Sequence, residues 1–313
     1  MSMKKILLPL LASVLLTGCY TKVASPKFAA KGEKVSSTNF YKALNELWDK
    51  SSFNSARRFK SFEFTVKSSE NEQKEKTHAK KRFSVESSSF TERTTNKYDS
   101  KELMYSSKGK KVYHSTEKSE TKNTKNNYVV RTDEAIQVSS VKNQLRVLVI
   151  DNSEKTFSSY MSLSKKDEAA SLFDSQAKEY STYFYDEFFS IENDYNDASE
   201  KDKKNYTFYI NGKIFTVEYN ATEKEKFASA GKTIYNGVTT TKKTVQLDAT
   251  EGKWVKKIYE VKNYKVEYET SYVNYAKGDS YVEDKSSSSE ISLTTKDVKL
   301  SEVDVTDYTG YGI

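Results

Sequence analysis

Few residues of this 313-residue sequence have side chains suited to catalysis or metal binding. Cys19 is the single thiol, and His78 and His114 are the only imidazoles. Each histidine lies in or beside a charged segment with no second ligand at the spacing of a zinc site. The 44 acidic residues leave a paired-carboxylate glycosidase site open, but the sequence singles out no pair. We therefore predict a protein without enzymatic activity, metal or cofactor.

The lone thiol follows a segment with the layout of an export signal. Lys4 and Lys5 precede an apolar run at 6–16, and small residues then lead to Cys19. Eleven apolar residues make about 16 Å of helix, roughly half the thickness of a bilayer. The run is therefore too short for a membrane span, and no later run is both apolar and long enough for one.

The four residues that end at the thiol resemble the lipobox of bacterial lipoproteins. They are Leu16, Thr17, Gly18 and Cys19. The resemblance implies a diacylglyceryl group on the sulfur of Cys19, cleavage just before this residue, and an extracytoplasmic protein anchored to the membrane, with the cell surface as its expected place. An ordinary export signal with a chance cysteine is the alternative. The rest of the chain has no thiol, so no disulfide supports its fold.

Composition and periodicity divide the chain into three parts. Residues 1–18 are the predicted signal, residues 19–36 the lipidated N-terminus and a flexible tether, and residues 37–313 a single domain with a candidate subdivision at 192–204. Loss of the two signal lysines lowers the formal net charge from +7 to +5. This mild positive charge favours an anionic membrane or wall polymer as a partner and argues against nucleic acid.

Two segments have helical periodicity. The first begins near Ser37, a good N-cap, and carries one apolar stripe that includes Phe40, Leu44 and Trp48. The second covers 166–191 and has an aromatic stripe. That stripe consists of Phe173, Ala177, Tyr180, Phe184, Phe188 and Ile191. The segment after it, 193–205, lacks the glycine and glutamate of a calcium loop, so we predict a solvated linker.

Most of the remaining chain alternates with a period of two, as strands do. Examples of residues that share one face of such a strand are Phe62, Phe64 and Val66; Phe83 and Val85; and Tyr264, Val266 and Tyr268. Hairpins are expected near Lys108-Gly109 and at Asn211-Gly212, and the second register pairs Phe208 with Phe215. A last hairpin is expected around the serines of 286–289. The predicted fold class is therefore α+β, with a strongly curved antiparallel β-sheet, a half-barrel-like meander, packed on amphipathic helices.

The order of elements is also similar to that of LolA/LppX-like lipoproteins. The resemblance implies an apolar cavity between sheet and helices that holds a lipid or another hydrophobic ligand. Its expected lining consists of Phe173, Tyr180, Phe184, Phe188, Phe208 and Phe215. The alternative is a surface interaction protein with a filled core that contacts glycan, wall polymer or host protein through exposed tyrosines and lysines.

Overall fold

A single antiparallel sheet dominates the structure, a computed structural model. The structure describes residues 20–51, 61–78, 90–107, 110–141, 144–151, 154, 156–163, 177–250, 252–296 and 298. The lipobox residues 16–19 and Phe173 lie outside these ranges, as does the strand expected around Phe83. The antiparallel sheet with packed helices is confirmed, although strands far outweigh helices in the described residues.

The sheet contains twelve strands within the described residues. The strands are β1 (Glu33–Val35), β2 (Phe62–Thr77), β3 (Phe90–Ser107), β4 (Lys110–Asn123), β5 (Tyr128–Val141), β6 (Gln144–Asp151), β7 (Thr156–Leu163), β8 (Tyr206–Asn211), β9 (Ile214–Ser229), β10 (Lys232–Asp248), β11 (Lys253–Tyr268) and β12 (Ser280–Thr294). Their order in space is β1-β8-β9-β10-β11-β12-β2-β3-β4-β5-β6-β7. Two meanders, β2–β7 and β8–β12, are thus joined edge to edge where β12 pairs with β2.

Within the described residues, two α-helices cover one end of one face of this sheet. They are α1 (Ser37–Lys50) and α2 (Ala177–Asp197). The side chain of Ser36 caps α1 by accepting from the Asn39 N–H at 3.2 Å, so the cap lies one residue before the predicted one. Helix α2 continues past its predicted end at 191 into the segment predicted as a linker. This face is called the helix face below, and the opposite one the back face.

The strands extend well beyond the helices. A strand of 16 residues, such as β2 or β11, is about 53 Å long. The helices pack where β2 begins at Phe62, β11 begins near Trp254 and β12 ends near Leu293. Toward the other end of the strands, the helix face carries mainly charged and hydroxyl side chains. The sheet therefore has a hydrophobic end under the helices and a distal end without them.

Two hairpin predictions were wrong in detail. The serines of 286–289 lie inside the single strand β12, which pairs with a neighbour on each side. The β8–β9 turn consists of Gly212 and Lys213, so Phe208 faces Val217 instead of Phe215. Gly212 has φ +59, and positive φ at only the first turn position fits a type II′ turn. The two-residue shift keeps every side chain on its predicted face. The β3–β4 hairpin is confirmed by the pairing of Ser107 with Lys110.

Residues 20–31 do not lead away from the domain, in contrast to the predicted tether. They cross the back face from β2 to β8, and we call them the strap. The Tyr20 hydroxyl donates to the Asn71 carbonyl at 3.2 Å, and the Val23 N–H donates to Ser286 Oγ at 2.9 Å. Burial raises the pKa of Tyr20. The strap then turns at Gly32, where an added Cβ would lie 2.3 Å from the Ile210 carbonyl oxygen.

The side chain of Gln246 binds the C-terminal part of the strap through the same two backbone groups that a neighbouring strand would use. Gln246 accepts from the Ala29 N–H at 2.7 Å and donates to the Ala29 carbonyl at 3.1 Å. Its amide also donates to Thr216 Oγ1 at 2.9 Å. Gln246 and Thr216 are both buried, so these bonds satisfy polar groups that water does not reach.

We expect Gln246→Met to destabilise the domain by about 1–3 kcal/mol, because buried partners in the strap and in β9 would lose their hydrogen bonds. Urea unfolding of residues 20–313 measures this loss. Thr244→Val is the matched control, since Thr244 is a half-buried residue on the same face of the same strand. Equal midpoints for the two variants would contradict the structural role of the strap.

Candidate functional site

The residues predicted to line a ligand cavity lie together in the hydrophobic core. Phe208 and Phe215 project from β8 and β9, and Phe184 and Phe188 project from α2 toward them. Phe40 of α1 joins them: its ring centroid lies 5.2 Å from that of Phe208 and 5.6 Å from that of Phe215. The helical and strand periodicities thus predicted the correct face for each of these side chains.

This core is closely packed around the two phenylalanines of α2. Phe184 and Phe188 are 0 % exposed. A side chain with no exposed surface borders no void that could admit a water molecule, and therefore none that could admit an acyl chain. Tyr180 lies at the rim, with its ring stacked on Phe64 at 4.5 Å and its hydroxyl bonded to Glu102.

An open cavity of about 590 Å³ lies at the edge of the core, between α1 and the turns before β9 and β11. Leu47, Phe215 and Trp254 contribute apolar groups to its lining, and Glu46 and Lys50 contribute charged groups. Phe215 and Trp254 are nearly fully buried, so little of their apolar surface faces the cavity.

We expect Phe184→Ala to destabilise the domain by about 3–5 kcal/mol, the usual cost of deleting a large side chain from a filled core. Thermal or urea unfolding measures the loss. Phe189→Ala is the control: Phe189 is a nearby residue of α2 and is 44 % exposed. An equally small effect of both changes would indicate that Phe184 lines an empty space.

A second group of aromatic side chains lies at the distal end of the sheet. We call it the distal cluster; it consists of Phe227, Tyr235, Tyr268, Tyr272 and Tyr275. Ring centroids lie 5.4 Å apart for Phe227–Tyr235, 5.6 Å for Phe227–Tyr272 and for Tyr235–Tyr268, and 4.1 Å for the parallel pair Tyr268–Tyr275. Phe227 and Tyr272 are exposed, so the cluster presents aromatic surface to solvent.

Buried polar contacts hold the loop between β11 and β12, which carries Tyr272 and Tyr275 of this cluster. Lys76 is only 5 % exposed; its Nζ lies 4.3 Å from the Tyr275 ring centroid and donates to the Asn274 carbonyl at 2.6 Å. Asp279 Oδ2 accepts from the Ala276 N–H at 2.7 Å and lies 2.8 Å from His78 Nδ1. The sequence missed this Asp–His pair, because the two residues are 201 positions apart.

Two tyrosines of the cluster, Tyr268 and Tyr275, stay neutral at physiological pH because their pKa values are raised. Burial, with the neighbouring tyrosines, raises the pKa of Tyr268 to about 12, and burial also raises the pKa of Tyr275. Their hydroxyls therefore remain hydrogen-bond donors as well as acceptors.

A charged cavity of about 480 Å³ lies beside the cluster on the helix face. It spans β9 to β2, and its lining consists of Glu72, Glu225, Thr239, Lys262, Tyr264, Glu283 and Lys285. The Tyr264 hydroxyl donates to Glu225 at 2.8 Å. Tyr264 and Tyr268 share one face of β11, so the cavity and the cluster form one continuous surface. This surface offers acceptors, donors and aromatic rings to a polar ligand.

The loop between β11 and β12 contains a strained turn. Tyr272 and Tyr275 exchange two backbone hydrogen bonds of 2.9 Å, which leaves Val273 and Asn274 as the turn residues. Val273 has φ +49 and is 79 % exposed. A β-branched residue is costly at positive φ, and such strain is concentrated at functional sites.

We expect Val273→Gly to raise the free energy of unfolding by about 1 kcal/mol, because glycine adopts positive φ without a Cβ clash. A rise in the melting temperature measures it. Val238→Gly is the control and should destabilise, because Val238 is an exposed strand residue of β10 with ordinary φ. A loss of stability in the Val273→Gly variant would contradict the claim that the backbone at Val273 is strained.

The described residues contain no group of three or more histidine, cysteine, aspartate or glutamate side chains placed to hold a metal ion. Among the same residues, no helix has the length and apolar character needed to cross a membrane.

No protein-family model matches this chain, and no curated protein matches its sequence. Among solved structures, it has weak similarity to the Pseudomonas aeruginosa OccK2 (OpdF) structure in complex with glucuronate, with a TM-score of 0.21 and 5 % identity over 74 % of this chain and 96 % of that chain. For P. aeruginosa OccK5 (OpdH) the TM-score is 0.19, with 5 % identity over 74 % and 98 % of the two chains. At these TM-scores the similarity carries no argument about function.

Proposed function

We propose that this protein is a lipoprotein held at the outer side of a bacterial membrane through Cys19, and that its domain binds a glycan at the cell surface. The observation that carries the glycan proposal is the surface formed by the distal cluster and the charged cavity beside it. The lipobox residues Leu16 to Cys19 support the anchor. The closely packed core favours the function of an interaction protein over that of a lipid carrier.

The chemistry of this surface suits a polyhydroxylated ligand. A sugar ring has faces of C–H groups that pack on aromatic rings, as Phe227 and Tyr272 offer them. Its hydroxyls both donate and accept, which matches the three carboxylates and two lysines of the cavity. Because both signs line the cavity, it favours a neutral sugar over a polyanion.

The sheet is further inferred to curve around α2, as the sequence predicted. Tyr180 of α2 bonds to β3 through Glu102, and Tyr195 contacts Phe208 of β8 with centroids 5.3 Å apart. These α2 residues are separated by about 22 Å of helix. On a flat sheet β3 and β8, six strand positions apart, would be about 29 Å apart. Curvature toward the helix, together with the reach of the two tyrosine side chains, accounts for the difference.

The cavity of about 590 Å³ beside α1 favours a second candidate function. Leu47 and the small accessible parts of Phe215 and Trp254 give this cavity a narrow apolar side, where one end of a lipid chain fits. Native mass spectrometry of residues 20–313 after exposure to a membrane lipid extract tests this candidate, and a discrete lipid adduct would support it.

Binding of residues 20–313 to immobilised neutral polysaccharides and to purified cell-wall glycan tests the proposed function. We expect Tyr272→Ala to weaken binding by about tenfold or more, since a central aromatic anchor contributes at least 1.4 kcal/mol. Tyr183→Ala is the control, because Tyr183 is an equally exposed tyrosine on α2 outside the surface. Failure to bind any glycan, or equal loss in both variants, would overturn the glycan proposal.

A further inference from the structure

The strap determines where a lipid anchor leaves the domain. Cys19 and Tyr20 are consecutive, so their Cα atoms are about 3.8 Å apart. Tyr20 and Thr21 are fixed to Asn71 of β2, and Val23 is fixed to Ser286 of β12. Asn71 and Ser286 lie near the middle of the two strands that join the meanders. A lipid on Cys19 would therefore emerge near the centre of the back face.

The strap also restricts movement of the domain relative to the anchor, which a flexible tether would allow. A free chain of residues 20–36 would have a typical end-to-end distance of about 21–25 Å, enough for the domain to tumble above a membrane. In the structure this segment is spread over the sheet from β2 to β8 and ends as strand β1. Its remaining hydrogen bonds include Lys257 to the Lys27 carbonyl and Asn211 to the Ala30 carbonyl.

The outward side of the strap carries positive charge. Residues 20–31 include Lys22, Lys27 and Lys31 and no acidic residue. Lys22 and Lys27 are exposed, whereas Lys31 forms an ion pair with Glu218. Val23, Pro26 and Phe28 are half-buried. Basic side chains next to a lipid anchor are attracted to anionic headgroups.

We propose that the back face of the sheet lies on the membrane, with the strap against anionic headgroups, and that the helix face points away. This inference rests on the proposed lipidation of Cys19. It gives the two faces different roles, because the distal cluster and its charged cavity lie on the helix face, where a glycan has access to them.

Two adjacent residues of β9 provide a matched pair of probes. Thr222 and Glu223 are both exposed, and they project to the back face and the helix face respectively. Cys19 is the only native cysteine and is blocked when lipidated, so Thr222→Cys or Glu223→Cys adds the only free thiol. Each full-length variant is expressed in a lipoprotein-processing bacterium, labelled with an environment-sensitive fluorophore and placed in phosphatidylglycerol-containing vesicles.

Quenching by lipids with a nitroxide headgroup then measures the distance of each label from the membrane surface. We expect several-fold stronger quenching of the Thr222→Cys label than of the Glu223→Cys label. Equal quenching of both labels, or stronger quenching of the second, in protein that floats with the vesicles would overturn the orientation. Protein that does not float and has no lipid mass on the N-terminal peptide would instead overturn the lipidation, and the orientation with it.

Discussion

The rest of the structure depends on the backbone pairing of β12 with β2. Fifteen residue pairs, from Ser280 with Thr77 to Thr294 with Glu63, join the last strand of one meander to the first strand of the other. Helix α2 crosses this junction to reach β8, and the strap begins on its opposite side. The charged cavity also includes side chains from both strands, such as Glu72 and Glu283. Without this pairing, neither the core nor the candidate site would be complete.

Beyond the helices, the sheet is maintained by backbone ladders and by long polar side chains lying beside one another. Cross-strand pairs such as Lys285–Glu70 and Lys118–Asp133, both at 2.8 Å, are partly exposed, and each adds little to stability. Their aliphatic stems cover neighbouring strands and exclude water from the ladder. This arrangement explains how a sequence with 36 % hydrophobic residues forms such a long sheet.

The sequence predicted those parts of the fold that depend on local periodicity. The stripe of α2 and the alternation of Phe62, Phe64 and Val66 led to the correct core, because burial at one end of the sheet imposes a clear pattern. The serines of 286–289 were assigned to a turn because polar runs usually mark loops, but a strand that is polar on both faces has the same composition. Lipidation of Cys19, which lies outside the described residues, stays a prediction.

The strap and the distal cluster depend on contacts between residues far apart in the sequence, so local sequence patterns do not predict them. The strap has no periodicity of its own, since its backbone is held by side chains far away in sequence, such as Gln246 and Ser286. The alternation of Tyr264 and Tyr268 indicated an aromatic face on β11. The cluster also needs Phe227, which the β9–β10 pairing places beside Tyr235, and Lys76, which only the pairing of the two meanders brings near Tyr275.

The strap has a consequence for how the chain is assembled. Val23 precedes its partner Ser286 by 263 positions, so one of the first described segments to be synthesised waits for one of the last. A chain synthesised from its N-terminus must hold this segment unpaired until β12 has been made, and contacts so distant along the chain form slowly. The order of synthesis therefore makes docking of the strap a late step in folding, completed only after the two meanders have met.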